Sequence, residues 1–455
     1  MMCKICRWLM LPLLLLSLAA CSGDDYLNAI PSESKALMSI DASRLMEKNG
    51  ADGKADVLRK VLGIDNVADC GIDFSAKVFL FESPEGDLGL CAKMSSASDL
   101  QGCLERLAVK GRCEPLTERD DCHFTTLSGS WLLGYNDDVL MVIGPVVGEA
   151  KARKRQQLAG YLNAGEEEGM KTSPLFQRLD TIQAPMALVA RAEALPDLLV
   201  APFTLGLPSD ADPSQVIIEA RMVSADGWLR IEGNTSSLNP RVDEALREAN
   251  QVFRPITDEY MSAASPDMLG CLLVNVDGGQ FLPLLQANKA LRALMVGVNT
   301  VIDIDNIIRG VDGDMLLAFT GFSGDSPRVA MGAKLDQSDW LADVDYWMRS
   351  CPPGMAITRW GNDAYRVHGA DMDFYFGVGD GLRFYAGSDS VEAKSMLSTS
   401  TRPLDDKARS ELMGKRMVLA ANLRQWSAHQ PEVSTVVECL KPLFGELEVI
   451  IFCLR

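Results

Sequence analysis

The residues of this chain best placed for chemistry are Cys113, Cys122 and His123, which lie beside Asp120 and Asp121 and bring soft and hard metal ligands into one short stretch. A structural zinc site is assembled from two close ligand pairs, and no second pair follows. A loop disulfide or plain burial is the expectation there. Asp303, Asp305, Asp312 and Asp314 have the oxygen ligands that calcium prefers. They lack the glycine and the final glutamate of an EF-hand loop. Asp305 and Asp312 recur as Asp65 and Asp73, so they read as helix caps and turn formers. Three histidines, His123, His368 and His429, leave little for general-base catalysis. His123 and His368 approach one position of a repeat and read as structural, and His429 is placed on a loop or helix surface. No serine sits in a Gly-x-Ser-x-Gly elbow. Gly377-Val378-Gly379-Asp380-Gly381 has the glycines of a nucleotide loop, but its counterpart Gly134-Tyr135-Asn136-Asp137-Asp138 suits only a hairpin turn. The basic run Lys151-Ala152-Arg153-Lys154-Arg155, answered by Glu166-Glu167-Glu168, reads as a solvated helix face. No catalytic, cofactor-binding or metal-binding residue is assigned.

The N-terminus carries Lys4 and Arg7, an apolar run from Trp8 to Leu18, and then Leu18-Ala19-Ala20-Cys21. This is a signal peptide, residues 1–20, with a lipobox, and Cys21 is the residue expected to carry lipid. The run is shorter than the roughly 20 apolar residues that span a bilayer. Residues 21–29 are read as a lipidated tether, so that the membrane is a partner only through Cys21. Cleavage takes away Lys4 and Arg7 and no acid, moving the formal charge from −18 to −20. Such a surface repels phosphates and excludes nucleic acid as a partner. Cys3 and Cys6, spaced like a redox or zinc pair, leave with the leader. Of the 12 cysteines, nine then remain besides Cys21, an odd number. One or two disulfides fit the cluster Cys70, Cys91, Cys103, Cys113 and Cys122; most of the cysteines read as small buried hydrophobes.

The elements that must position these residues occur twice. Met38-Ser39-Ile40-Asp41 pairs with Val274-Asn275-Val276-Asp277, Ile64-Asp65-Asn66-Val67 with Ile304-Asp305-Asn306-Ile307, and Gly71-Ile72-Asp73 with Gly310-Val311-Asp312. Ala92-Lys93-Met94 then pairs with Ala333-Lys334-Leu335, and residues 130–144 with 373–387. Met186–Ala190 pairs with Met417–Ala421, and Val216–Ile218 with Val449–Ile451, the offset staying between 231 and 243 throughout. Hairpins mixed with helical stretches, without regular βαβ alternation, predict α+β: two tandem duplicated units, each a mainly antiparallel sheet with helices on one face. The first unit is expected over 30–240, a linker helix over 241–264, and the second unit over 265–455. After Ile218 the first unit runs through Ala225-Asp226-Gly227 into a further strand, whereas the second stops at Arg455. The second unit is therefore expected to lack its last strand and to leave an open edge.

The element order, with YLNAIPSESKALMSIDASRL over Tyr26–Leu45 behind a lipid-type cysteine, resembles a Bacteroidetes lipoprotein family known as a domain of unknown function. The resemblance implies an envelope lipoprotein of two related α+β units and transfers no catalytic residues. Ser22, Gly23, Asp24 and Asp25 resemble the acidic export signal that sends such lipoproteins to the outer face of the outer membrane. Asp180-Thr181-Ile182 and Asp389-Ser390-Val391 resemble that group's short O-glycosylation acceptor. The function expected is a non-enzymatic, surface-exposed binding or structural module with a protein or glycan partner and no cofactor. Two alternatives are an envelope-polymer hydrolase using carboxylates such as Asp41 and Asp277, although these share a repeat position after a strand and read more cheaply as helix caps, and a periplasmic assembly factor that holds partner strands.

Overall fold

Alternating apolar residues, broken by Asn, Asp and Gly at the turns, fold in the computed structural model into antiparallel sheets carrying helices, a mixed α+β fold. The described residues are 23–48, 70–195, 200, 203–288 except 209, and 292–454 except 293, 294, 297, 325, 370–372, 432, 435, 436, 438–443 and 445. The leader 1–20, Cys21, Ser22, the block Ile64–Val67 and Cys439 lie outside them. The chain divides into two compact units, Met1–Ala190 and Arg191–Arg455.

In the first unit a turn of 3-10 helix, Asp25–Ala29, precedes the sheet. Tyr26, Leu27, Ala29 and Ile30 are buried. The expected tether is thus part of the folded body from Tyr26 onward, because its apolar side chains have a core to enter. The strands are β1 (Ala36–Ile40), β2 (Val78–Glu82), β3 (Leu88–Lys93), β4 (Thr117–Arg119), β5 (Cys122–Leu127), β6 (Trp131–Tyr135), β7 (Val139–Gly144) and β8 (Met186–Arg191). They lie in the order β8-β1-β2-β3-β7-β6-β5-β4, every pair antiparallel. Asn136 makes the β6–β7 turn, its side-chain oxygen accepting from Asp138 N and Val139 N at 3.0 and 2.9 Å.

Helices cover both faces of this sheet. Leu133 and Tyr135 of β6 pack with Leu100 and Leu104 of the helix Ala97–Val109. Gly134 between them faces the other way, where an added Cβ would meet Leu158 at 2.9 Å and Leu162 at 3.0 Å, both on the helix Lys151–Leu162. Successive strand residues point to opposite faces, and here both sets are apolar or small, so the single covered face expected from the sequence becomes two.

The second unit contains β9 (Val216–Ala225), β10 (Trp228–Ser237), β11 (Phe253–Arg254), β12 (Gly270–Asp277), β13 (Val311–Ser323) and β14 (Ser326–Leu335). It continues with β15 (Ala356–Gly361), β16 (Ala364–His368), β17 (Asp373–Gly379), β18 (Arg383–Gly387), β19 (Met417–Asn422) and β20 (Val449–Leu454). The order is β9-β10-β20-β19-β12-β13-β14-β18-β17-β16-β15, with the short β11 also on β12. From β19 to β15 the neighbours follow the same succession as from β8 to β4.

β9 and β10 form a hairpin whose turn residues Asp226 and Gly227 have φ of 53° and 78°, the left-handed pair of a type I′ turn. β10 runs parallel to β20, Trp228 opposite Val449 and Gly233 opposite Leu454. The edge expected to be open after the second unit's last strand is therefore occupied. This pairing also explains why the boundary falls after Ala190 and not at residue 240. The stretch expected as a linker helix is a helix only over Pro240–Gln251, where Asn239 accepts from Arg241 N, and its Val242 and Leu246 pack on Val216 and Ile218. Beyond it Ile256, Tyr260 and Met261 enter the core.

The second sheet is buried on both faces as well. On β12, Val274 and Val276 join a cluster containing Phe281, Ile307, Trp340 and Trp347, while Leu273 joins a different cluster with Tyr260, Met396 and Leu412. Between these layers Asp314 is 1% exposed and fully engaged. It accepts from Thr257 N at 3.0 and 3.1 Å, Thr257 Oγ1 at 2.7 Å and Asn275 Nδ2 at 2.9 Å.

Two outcomes follow from these contacts. Deleting residues 449–455 should uncover the edges of β10 and β19 and turn the chain into aggregates, measured by size-exclusion chromatography. Asp314→Ala, which leaves the buried Asn275 amide without this acceptor and releases the Thr257 loop, should lower unfolding free energy by about 1–3 kcal/mol in urea titration.

Candidate functional site

The carboxylates singled out for hydrolysis are engaged close to their own backbone. Asp41 accepts from Arg44 N at 3.1 Å and from Ser43 Oγ at 2.8 Å at the start of the helix Ala42–Lys48. Asp277 accepts from Gln280 N at 3.1 Å at the start of the helix Gly278–Ala287. Both satisfy amides that a helix start leaves without partners.

The four acids considered for calcium are spent separately. Asp303 caps the helix Ile304–Arg309 by accepting from Asn306 N at 3.0 Å. Asp305 is no cap: it lies in that helix's first turn and accepts from Gln286 and Asn299. Asp312 pairs with Arg254 at 2.8 Å, and Asp314 holds the buried network above. Asp73 fits its expected place as a turn former, accepting from Ser75, whose hydroxyl, with Lys93, keeps this carboxyl below the ordinary range. Among the described residues no three His, Cys, Asp or Glu side chains lie close enough to share a metal ion.

In the stretch weighed for zinc and read instead as a loop disulfide or plain burial, Cys113 donates to Leu104 O at 3.3 Å, Cys122 accepts from Asn163 at 3.7 Å, and His123 stacks on Tyr135 at 4.9 Å. Cys91, Cys113 and Cys122 carry free thiols, so the disulfides expected in this half do not involve them. Burial pushes the Cys91 thiol up in pKa, and it donates to Tyr26 O. His123 and His368 do not share a repeat position. His123 is the second residue of β5, whereas His368 closes β16 beside the Arg366–Asp373 pair. His429 is exposed and sits one helical turn from Gln425 O. Gly23, Asp24 and Asp25 of the export signal are exposed.

The basic run is only partly a solvated face. Lys154, 11% exposed, pairs with Asp87 in the β2–β3 turn, where Glu85 also accepts from Gln157 and Tyr161. Spacing on a helix gives no sign that one lysine of four basic residues will meet a turn far away in sequence.

Two concavities differ most in character. In the first unit, Leu80 of β2 stands opposite Leu90 of β3, which stands opposite Val142 of β7, so three aliphatic side chains form a row on one face. Leu127 and Trp131 flank it, and Trp131 lies over Gly144, where an added Cβ would meet its ring at 2.8 Å. Leu88 opens the row and is 53% exposed. The helix Ala97–Val109 covers Leu133 and Tyr135 farther along and stops short of this end. The result is a groove of about 580 Å³ lined almost wholly by carbon. Sequence reasoning missed it, since an apolar strand residue under a helix and one in the open read alike.

The second unit has a pocket of about 470 Å³ of different character. Trp228, Met268 and Leu412 give it apolar walls. Around them stand Arg402, held by Asp267 at 2.8 and 2.9 Å, and Arg424, 3.9 Å from Glu448.

A mainly antiparallel α+β scaffold, with Asp41 and Asp277 at helix starts, defines the class of this chain by architecture. The chain belongs to the family described as domain of unknown function DUF4836, whose model matches residues 52–406 and so reaches into both units. No curated protein matches the chain. The solved structure of crystal form IV of TP0453 is similar at 13% identity, covering 44% of this chain and 76% of that chain, with a TM-score of 0.28.

If Asp41 and Asp277 act as caps, Asp41→Ala and Asp277→Ala should each cost about 1 kcal/mol, and Asp→Asn at either position should restore most of it. Thermal unfolding of the four variants measures this.

Proposed function

We propose that this chain is a lipid-anchored protein of the bacterial cell envelope, displayed on the outer face of the outer membrane, that binds a protein partner and catalyses no reaction. The groove on the first unit carries the reading. A surface that exposes Leu80, Leu88 and Trp131 in one concavity stabilises apolar partners and offers a sugar almost no directed hydrogen bond. Its occupant is the apolar face of a protein segment. The anchor rests on Leu18-Ala19-Ala20-Cys21 and the outward address on Ser22–Asp25, in a chain resembling Bacteroidetes lipoproteins. Two copies of one ancestral unit account for the matching strand successions, and for Asp41 and Asp277 as caps after equivalent strands. The hydrolase reading loses its best carboxylates to those caps.

The second unit's pocket favours a glycan as a second ligand, because an aromatic wall beside fixed Arg and Asp groups suits a sugar ring and its hydroxyls.

Photo-crosslinking from position 88 in living cells should give a discrete protein adduct that Trp131→Ala abolishes and that position 118 on β4 does not form. Leu88→Glu should leave the melting temperature within a few degrees of the parent and weaken partner retention at least about tenfold. No adduct at position 88 would reject the groove. Protease shaving of intact cells, with Cys21→Ser as control, tests the location. Digestion before lysis is expected, and protection until lysis would favour the inward-facing assembly factor.

A further inference from the structure

We propose that the first unit is held directly against the lipid bilayer, with the surface around Asp24, Ser75–Lys77 and Phe176–Asp180 facing the headgroups. The inference rests on the lipidation of Cys21 proposed above and adds to it an orientation and a docking surface.

The chain becomes fixed to the folded body at Tyr26. Tyr26 is 4% exposed, and its hydroxyl donates to Lys77 O at 2.8 Å. Its ring meets Phe79 at 6.3 Å, and its carbonyl accepts from the Cys91 thiol at 3.5 Å. Leu27 and Ile30 are buried behind it. The turn Asp25–Ala29 is therefore fixed to β2 and β3 by side chains that cannot leave without opening the core. Cys21 precedes Asp25 by four residue steps, which span about 14 Å at full stretch. A lipid-bearing Cys21 cannot let the body stand off farther than that.

The same contacts say which surface is nearest. Asp24, Tyr26, Ser75, Lys77, Phe176 and Asp180 share the rim of one shallow cavity. Lys93 Nζ lies where a Cβ on Gly23 would meet it at 3.2 Å. Lys93, paired with Asp73, and Lys77, on the cavity rim with Asp24, make this a surface of mixed charge. Cations interspersed with the exposed Asp24 and Asp25 suit a zwitterionic headgroup layer, because a strongly anionic one would repel those acids. Phe79 and Cys91 are opposite each other on one sheet face, whereas Leu80 and Leu90 point to the other. The anchor and the apolar groove therefore occupy opposite faces of the first sheet, and the groove is turned away from the lipid.

The test uses the full lipidated chain in phosphatidylcholine vesicles containing a nitroxide-headgroup quencher. A fluorophore is placed at Lys77→Cys or at Glu118→Cys, with background from native thiols taken from the parent chain. β2 and β4 are five strand spacings apart, roughly 24 Å, so quenching at position 77 should exceed that at 118 by about threefold or more. A flexible Gly-Ser spacer inserted between Gly23 and Asp24 should abolish that difference while the protein still floats with vesicles. Equal quenching at the two positions, or a difference that survives the spacer, in protein that floats would overturn the proposal and leave the anchor standing. Failure of the parent chain to float would overturn the anchor and this orientation with it.

Discussion

The parallel ladder between β10 and β20 is the contact on which the second unit depends. A strand edge left unpaired at this point would present a row of amide and carbonyl groups to any other chain. Pairing Trp228–Gly233 with Val449–Leu454 removes that edge and carries the β9–β10 hairpin into the sheet. The helix Pro240–Gln251 follows, because Val242 and Leu246 need β9 to bury them. One ladder thus decides where the first unit ends, what becomes of the stretch that reads as a linker, and how the last strand is protected.

Local chemistry made much of this fold legible in the sequence. Asn136 between two apolar runs and Asp226-Gly227 between two others specify hairpins by turn geometry alone, and both hairpins are present. The repeated strand-then-aspartate pattern at Asp41 and Asp277 marked helix starts correctly for the same reason: capping is settled within four residues. What could not be read were decisions made over long distances. A strand with apolar residues of both parities is compatible with one covered face or two, and only the helices over Gly134 and Leu133 decide. Lys154 looks like its exposed neighbours until Asp87 is brought to it. β20 meets β10, to which no register in the sequence points.

The candidate sites show the same division. Polar groups suggested sites by their types, and the fold spent them on its own structure: Asp303 on Asn306 nearby in sequence, His123 on Tyr135 across two strands, and Asp314 on Thr257 and Asn275 far away in the chain. The groove is made of residues that carry no chemical signature, and only incomplete cover by the helix Ala97–Val109 distinguishes Leu80 and Leu88 from core. A binding surface of this kind is defined by what fails to pack on it, which no residue type announces.

The closing strand also follows every other strand of the second unit in the chain. Until Val449–Leu454 is in place, the β9–β10 hairpin has no partner on its β10 side, and the second sheet cannot reach its final order. Contacts between stretches so far apart in sequence form slowly, because a long loop must be closed before they are rewarded. The second sheet is therefore completed by the strand that comes last in its sequence order, and its two flanking neighbours, β10 and β19, wait for it.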